Sequence, residues 1–355
     1  MASPFAVLTG ERAVCPKASV RLSPVAVMNL CSDPRRRAMC KSSVVRPDDP
    51  ALGPSTITVA CVNFESVRRD KAATLQKIDA RIAEAASRGS DLVVFPELAL
   101  NTWGQCRDCA SEHEPCSWHR GQAEPANGPS CRAIVDMAAA HGVHVVYGFE
   151  ETGDAPSGAI HNSANIVAPD GLVGTYRKLH LGIPLETDRF TPGNALPVFQ
   201  TDLGPIGIQI CYDFYMGPEL SRVLAMKGAR LLLNPTGRSA LPRAREHLEQ
   251  VTNVRAHENL IAAASANRVG TSHGPPEWAG GSVIAAVEFP GFPITLAKAG
   301  VGEEVINATI DFAAIGKWYD LLPWREWRAG PQRPITDLVA IELARATDAQ
   351  EATSR

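Results

Sequence analysis

The chain has 355 residues, 45% hydrophobic and 21% charged, with a formal net charge of -3. This is an ordinary globular balance, enough for one large core or two smaller ones. A near-neutral chain without a concentrated basic face gives no electrostatic basis for binding nucleic acid or an anionic membrane, and no apolar run reaches the ~20 residues that span a bilayer, which leaves small-molecule chemistry.

Nine cysteines without the regular spacing of a disulfide scaffold indicate free thiols and a reducing, cytoplasmic setting. Residues 1–55, with the run "DPRRRAMCKSSVVRPDDPALGPS", mix Arg, Ser and Pro and hold no period of 2 or 3.6. They are expected to form a disordered N-terminal extension. Nothing near the start reads as a secretory apolar segment. The Arg- and Ser-rich composition is faintly like a transit peptide; a long leader, or a start at Met28 or Met39, is the simpler expectation.

Regular patterning begins at Ile57 with "ITVACVNF", a β-branched apolar run that predicts a buried strand. In the following segment Val67, Ala72, Leu75, Ile78, Ile82 and Ala85 recur three or four apart, an amphipathic helix closed by Gly89. The strand "DLVVFPEL" and the helix "SCRAIVDMAAAHG" come next, then the strands "VHVVYGFEE", "HNSANIVAP", "GTYRKLHL" and "IGIQICYD". The helix "PELSRVLAMKG", the strand "ARLLLNPT", a long helix over 243–257 and the strand "NLIAAASANRVG" continue the alternation. The strands "GGSVIAAVEF", "PITLAKAG" and "EEVINATID" close it. Helices alternating with buried strands, without repeat or linker, predict one α/β domain over 56–312. The C-terminal extension, 313–355, carries Trp318, Trp324 and Trp327 and is expected to pack on a surface and to suit dimer contacts.

Three apolar runs each end on a reactive or ionisable group: Glu97 in "DLVVFPEL", Lys178 in "GTYRKLHL" and Cys211 in "IGIQICYD". Taken singly, Glu97 reads as a solvated carboxylate, Lys178 as a snorkelling cation and Cys211 as a small core residue. Taken together they point to a crevice, because the carboxyl ends of strands in α/β proteins open onto the functional site. A thiol with a pKa near 8.5 needs a neighbouring base or cation to attack a carbonyl carbon. A partly buried carboxylate accepts that proton and returns it to a leaving amine, and an ammonium stabilises thiolate and oxyanion.

With these residues the chain resembles the nitrilase superfamily, the carbon-nitrogen hydrolases. The resemblance rests on "FPEL", "YRKLHL", "GIQICYD", "LLLNPT" and "RAHENLIAAASANRVG", in the family's order. It implies a four-layer α-β-β-α sandwich that pairs into homodimers or higher homo-oligomers. It also implies Glu97 as general base, Cys211 as nucleophile, and Lys178 with the backbone N–H of Tyr212 as oxyanion stabilisers. Glu186, eight residues beyond Lys178, matches a second glutamate that orients the lysine and the substrate nitrogen. No metal or organic cofactor is implied.

Tyr212, Asn234, Pro235 and Thr236 carry over by position as substrate-binding residues, with His273 and Trp278 as further pocket candidates. The sequence departs from its relatives after the cysteine: "CYDFYMGPEL" has one residue more before Pro218 and Glu219. Relatives that act on N-carbamoyl D-amino acids carry arginines just after the cysteine; Phe214, Tyr215 and Met216 stand here, favouring a neutral or aromatic acyl group. Cys211-Tyr212-Asp213 in place of the nitrilases' Cys-Trp-Glu favours amides over nitriles. The loop "CRDCASEHEPCSWH" holds Cys106, Cys109, His113, Cys116 and His119, ligand types for zinc but too cramped for a standard finger. It is expected to line the pocket or form a redox-sensitive thiol patch. The expected activity is hydrolysis of a small amide to acid and ammonia through a cysteine thioester, with nitrile or N-carbamoyl hydrolysis and a non-catalytic scaffold as alternatives.

Overall fold

In the computed structural model, which describes residues 45–101, 121–153, 158–270 and 277–353, two six-stranded sheets face each other. The first contains β1 (Thr56–Asn63), β2 (Leu92–Val94), β3 (His144–Thr152), β4 (Ile160–Ala168), β5 (Gly171–Arg177) and β12 (Glu304–Asp311), ordered β12-β1-β2-β3-β4-β5. The second contains β6 (Val198–Thr201), β7 (Gly204–Ile208), β8 (Leu231–Thr236), β9 (Ala262–Asn267), β10 (Val283–Val287) and β11 (Pro293–Lys298), ordered β11-β10-β9-β8-β7-β6. Each sheet has three parallel strands at its centre, β1-β2-β3 or β7-β8-β9, and antiparallel flanks.

Near-continuous apolar strands are buried on both faces. Along β1, Val59 and Cys61 join Ile206, Ile208 and Leu231 between the sheets, whereas Ala60 and Val62 point the other way, onto Ile78, Ile82 and Ile134. Those last three belong to α1 (Lys71–Ser87) and α2 (Pro129–His141). The outer face of the second sheet carries α5 (Pro218–Met226) on β7 and α6 (Ala244–Asn259) on β9, β10 and β11. The layers are therefore helix, sheet, sheet, helix: the four-layer α-β-β-α sandwich that the resemblance implies.

Helix α1 starts later than its apolar stripe suggests. Asp70 caps it, accepting from Ala73 N at 2.8 Å, so Val67 precedes the helix, Ala72 is exposed, and Thr74 takes the buried position. Both outer limits of the folded region also differ from the sequence expectation. Arg325, buried in α8 (Trp324–Ala329), donates to Val45 O and Ala229 O at 2.8 Å each, and Arg46 donates to Gly316 O at 2.8 Å. Phe312, Ile315 and Tyr319 of α7 (Phe312–Leu321) belong to the large hydrophobic core cluster that Val59 and Ile206 also join, with Trp318 and Trp324 packed against it. Thus 45–55 and 313–329 are tied to the sandwich by long-range bonds. Helix α9 (Arg333–Thr353), beyond them, leaves Ile335, Leu338, Val339, Ile341 and Leu343 exposed. Among the described residues no helix is long and apolar enough to cross a membrane.

One junction positions the site. Phe64, just past β1, pairs in parallel with Arg268, just past β9, so the carboxyl ends of both parallel sets lie together. Strand β5, antiparallel to β4 and hence parallel to β3, ends on the same side. The chain segments that follow β2, β5, β7, β8 and β9 all emerge there.

Candidate active site

Glu97 follows the end of β2 by three residues. Leu98, buried at φ 49, makes the sharp turn after it. A Cβ on Gly148 of β3 would lie 2.3 Å from Leu98 N, so this close backbone approach requires glycine. From the end of β9 the buried Arg268 donates to Glu97 O at 3.1 Å, Leu98 O at 2.7 Å and Ser66 Oγ at 3.1 Å. Lys178 is the first residue after β5, and its N–H bonds Asn162 O at 2.8 Å.

Cys211 lies three residues beyond β7 with φ 48 and ψ −102, a conformation that a residue with a Cβ rarely adopts. Its N–H is held by Asn234 Oδ1 and Pro235 O, each at 3.0 Å, both from β8. Asp213, fully buried two residues on, accepts from Leu179 N at 3.0 Å, His180 N at 2.7 Å and Tyr176 OH at 2.6 Å. One carboxylate thereby fastens the segment after Lys178 to the segment after Cys211.

The side chains meet in a buried ionic cluster. Lys178 Nζ donates to Glu97 Oε1 at 2.8 Å and to Glu186 Oε1 at 2.5 Å. Asn162 Nδ2 donates to Glu97 Oε1 at 2.7 Å and Glu186 Oε1 at 3.3 Å. The second oxygens take backbone donors, Gly237 N for Glu97 at 2.9 Å and Gly182 N for Glu186 at 2.7 Å. Each buried charge is thus both paired and hydrogen-bonded, the condition under which such a group is tolerated.

Burial opposes the charge on Lys178, but Glu97, Cys211 and Glu186 outweigh it and hold the ammonium above its ordinary range. Burial, then the charge of Glu97, push the Glu186 carboxyl up against the pull of Lys178. Burial, then Glu97, also push the Cys211 thiol up to about 12. The resting sulfur is therefore a neutral thiol, and its use as a nucleophile requires a partner that removes the proton as attack occurs.

Tyr212 opens α4 (Tyr212–Met216) and is partly exposed; its backbone N–H, at the first helical position, has no intrahelical acceptor. Asn234 and Pro235 are buried beneath the cysteine, their oxygens engaged by its N–H. The Thr236 hydroxyl lies beside the sulfur, favouring its charged form, and meets Tyr215 OH at 2.7 Å. Trp278 is buried with Leu98 and Phe190. His273 and the loop residues Cys106, Cys109, His113, Cys116 and His119 lie outside the described residues. Sequence reasoning did not single out Asn162, Asp213 or Arg268 as site residues; the available signal was a polar side chain inside or at the end of an apolar strand, as in "HNSANIVAP".

The sequence pattern of the family described as carbon-nitrogen hydrolase matches residues 58–320. The chain belongs to that family. This carbon-nitrogen hydrolase is similar to a probable nitrilase of Schizosaccharomyces pombe, 33% identical over 222 residues, 60% of this chain and 75% of that one. It is 29% identical to an omega-amidase of Danio rerio over 257 residues, 69% and 85% of the two chains. Among solved structures it resembles Saccharomyces cerevisiae Nit3, a member of branch 10 of the nitrilase superfamily, with TM-score 0.65, 26% identity, and 76% and 95% of the chains covered. The amidase from Nesterenkonia shares the fold, with TM-score 0.60 at 23% identity, covering 77% of this chain and 95% of that one. The protein is an enzyme of the class that hydrolyses carbon-nitrogen bonds.

Proposed function

We propose that this carbon-nitrogen hydrolase converts a small amide to a carboxylic acid and ammonia through a thioester on Cys211. The observation that carries the reading is the placement of a partly exposed thiol at the carboxyl ends of the strands, where Glu97, Lys178 and Glu186 form one buried cluster. Glu97 takes the thiol proton as sulfur attacks the carbonyl carbon, and Lys178 with the Tyr212 N–H stabilises the oxyanion. The C–N bond breaks as Glu97 returns the proton to the leaving nitrogen. Water, deprotonated by Glu97, then adds to the thioester; the C–S bond breaks and the sulfur recovers its proton. Glu186 orients Lys178 and the substrate nitrogen, and Asn234, Pro235 and Thr236 hold the nucleophile and line its surroundings. No cofactor enters this chemistry.

Nitrile hydrolysis is the second reading, supported by the nitrilase names of two relatives; the same thiolate would add to the C≡N carbon. Amides are favoured because Tyr212 and Asp213 follow the cysteine, and Asp213 spends its carboxylate on Leu179, His180 and Tyr176. Ammonia release from matched amides and nitriles, with Cys211→Ala beside the wild type, separates these readings; turnover of nitriles alone contradicts the first. A reducing, cytoplasmic setting is supported by the free thiols Cys61, Cys131 and Cys211. A homodimer is supported by exposed Met216, Val223 and Val254 on the helices that follow the nucleophile.

A further inference from the structure

Asn162 of β4 stands between the two carboxylates of the cluster. Its Nδ2 donates to Glu97 Oε1 at 2.7 Å and to Glu186 Oε1 at 3.3 Å, and an amide nitrogen has one N–H for each. Lys178 Nζ bridges the same two oxygens, so two nitrogens and two oxygens close a ring of four hydrogen bonds. The other end of the amide is unmatched: Oδ1 is buried, and among the described residues no donor reaches it. A buried amide kept for the fold has, as a rule, both ends satisfied. This one is satisfied only where it meets Glu97 and Glu186, and the reversed amide would turn oxygen toward two carboxylates. Its orientation is therefore set by the pair it serves.

Each carboxylate oxygen offers two lone pairs. On Glu97, Oε1 has both filled, by Lys178 and Asn162, whereas Oε2 accepts among the described residues only from Gly237 N at 2.9 Å. Glu186 repeats the pattern, with Oε1 filled by the same two donors and Oε2 held by Gly182 N at 2.7 Å. The open lone pair of Glu97 is thus on the oxygen bound to Gly237, the residue after Thr236, whose hydroxyl lies beside the Cys211 sulfur. Two carboxylates gathered around one nitrogen tend to share a proton, and burial with the charge of Glu97 already pushes Glu186 toward its protonated form. A proton on Glu186 would reach for Glu97 Oε1, but an amide N–H holds that place. The other charged groups around the ring are Cys211 after β7, Arg268 just past β9, and Glu150, opposite Asn162 on β3. Glu150 pairs with Arg189 at the end of α3 (Pro184–Arg189), the helix that carries Glu186. None of these four groups bonds either Oε1.

We propose that Asn162 is a positioning residue: its amide fills the last lone pairs of Glu97 Oε1 and Glu186 Oε1, so that the two carboxylates share no proton and Glu97 works as a base through Oε2. In the attack the S–H bond breaks, an O–H bond forms on Oε2, and the electron pair left on sulfur forms the C–S bond. The choice of Oε2 rests on the amidase reading of Glu97 and Cys211; the separation of the two carboxylates stands without it.

Infrared difference spectra read the proton directly. The absorption of a protonated carboxyl group is followed across pH in the wild type and in Asn162→Leu, which keeps the size and removes the donor. Asn162→Ser, smaller, polar and with one donor in place of two, is the second variant. The expected result is a carboxyl band that persists to higher pH in both variants than in the wild type, less so in Asn162→Ser. Adding Glu186→Gln to Asn162→Leu should abolish the excess. An unmoved titration, or an excess band that survives Glu186→Gln, overturns the inference. On the best amide, kcat/KM of Asn162→Leu should fall at least about tenfold at neutral pH, chiefly through kcat, with the loss shrinking as pH rises and the shared proton leaves. A loss of the same size at every pH is what a purely structural residue would give, and it overturns the inference. If the wild type turns over no amide, the amidase reading fails, while the infrared shift still supports the separation of the carboxylates. Turnover with an unmoved infrared titration leaves the amidase reading standing and removes this one.

Discussion

The Lys178 ammonium lies 2.8 Å from Glu97 Oε1, and both side chains are 1% exposed. A cation so placed neutralises two carboxylates at once, since Glu186 Oε1 is its other partner. Its removal therefore matters more to the fold than the loss of one surface pair would.

Lys178→Met should lose about 3–5 kcal/mol of stability at neutral pH, because two buried carboxylates are left facing each other. The pH dependence follows from Glu186, already pushed up by burial and Glu97 and relieved by Lys178 and, to a smaller extent, by the Gly182 N–H. A carboxyl with its folded pKa raised contributes stability below its unfolded pKa and loses it as pH rises through the folded value. The deficit in melting temperature should thus shrink in acid and grow toward neutral pH. A deficit that does not change with pH would contradict this account of the cluster.

The Cys211 thiol, pushed up to about 12, should show no thiolate absorbance at neutral pH. Among the free thiols described, Cys61 and Cys131 are buried and Cys211 is partly exposed. Iodoacetamide, itself an amide, should therefore alkylate Cys211 first, with Glu97 accepting the proton. Peptide mapping of Glu97→Gln should show that reaction slowed by about 10²-fold or more. An equal rate in the variant would remove Glu97 from the role of base.

Asp213→Asn removes one oxygen from a carboxylate that receives Leu179 N, His180 N and Tyr176 OH. About 2–3 kcal/mol of stability should be lost, as expected for hydrogen bonds to a buried charged group. Activity should fall mainly in kcat, because the change loosens the joint between the lysine and cysteine segments. Unchanged melting and unchanged kcat together would show that the joint is dispensable.

Gly148→Ala brings a Cβ to 2.3 Å from Leu98 N and 2.7 Å from Pro96 O, both rigid backbone. It should cost at least about 3 kcal/mol and displace Glu97. Gly302→Ala, with nothing within 4 Å, should stay within about 0.5 kcal/mol of wild type. Denaturant titration of the two variants checks the contrast; similar midpoints would count against it.

The sandwich was legible because its signals are local. The run "ITVACVN" is mostly apolar, and the structure sends the alternate residues of Val59–Val62 to two different cores. Glu97, Lys178 and Cys211 stood out because each follows a stretch read as a strand, and strands that end on one side bring such positions together. Other features depend on partners distant in sequence. Nothing near Arg325 announces that it will bond Val45 and Ala229, so the tryptophan-rich segment reads as a surface arm. Asn162 looks like one polar residue in a strand until Glu97 and Glu186 arrive on either side of it. The positive φ of Cys211 is likewise set by Asn234 and Pro235 rather than by the residue itself.

The most direct test of the thioester mechanism is ammonia release from a panel of small amides by wild type and Cys211→Ala, coupled to mass spectrometry of the acid-quenched enzyme. The account predicts turnover by the wild type, an acyl adduct on the Cys211 peptide during turnover, and loss of both in the variant. Undiminished ammonia release by Cys211→Ala would contradict it.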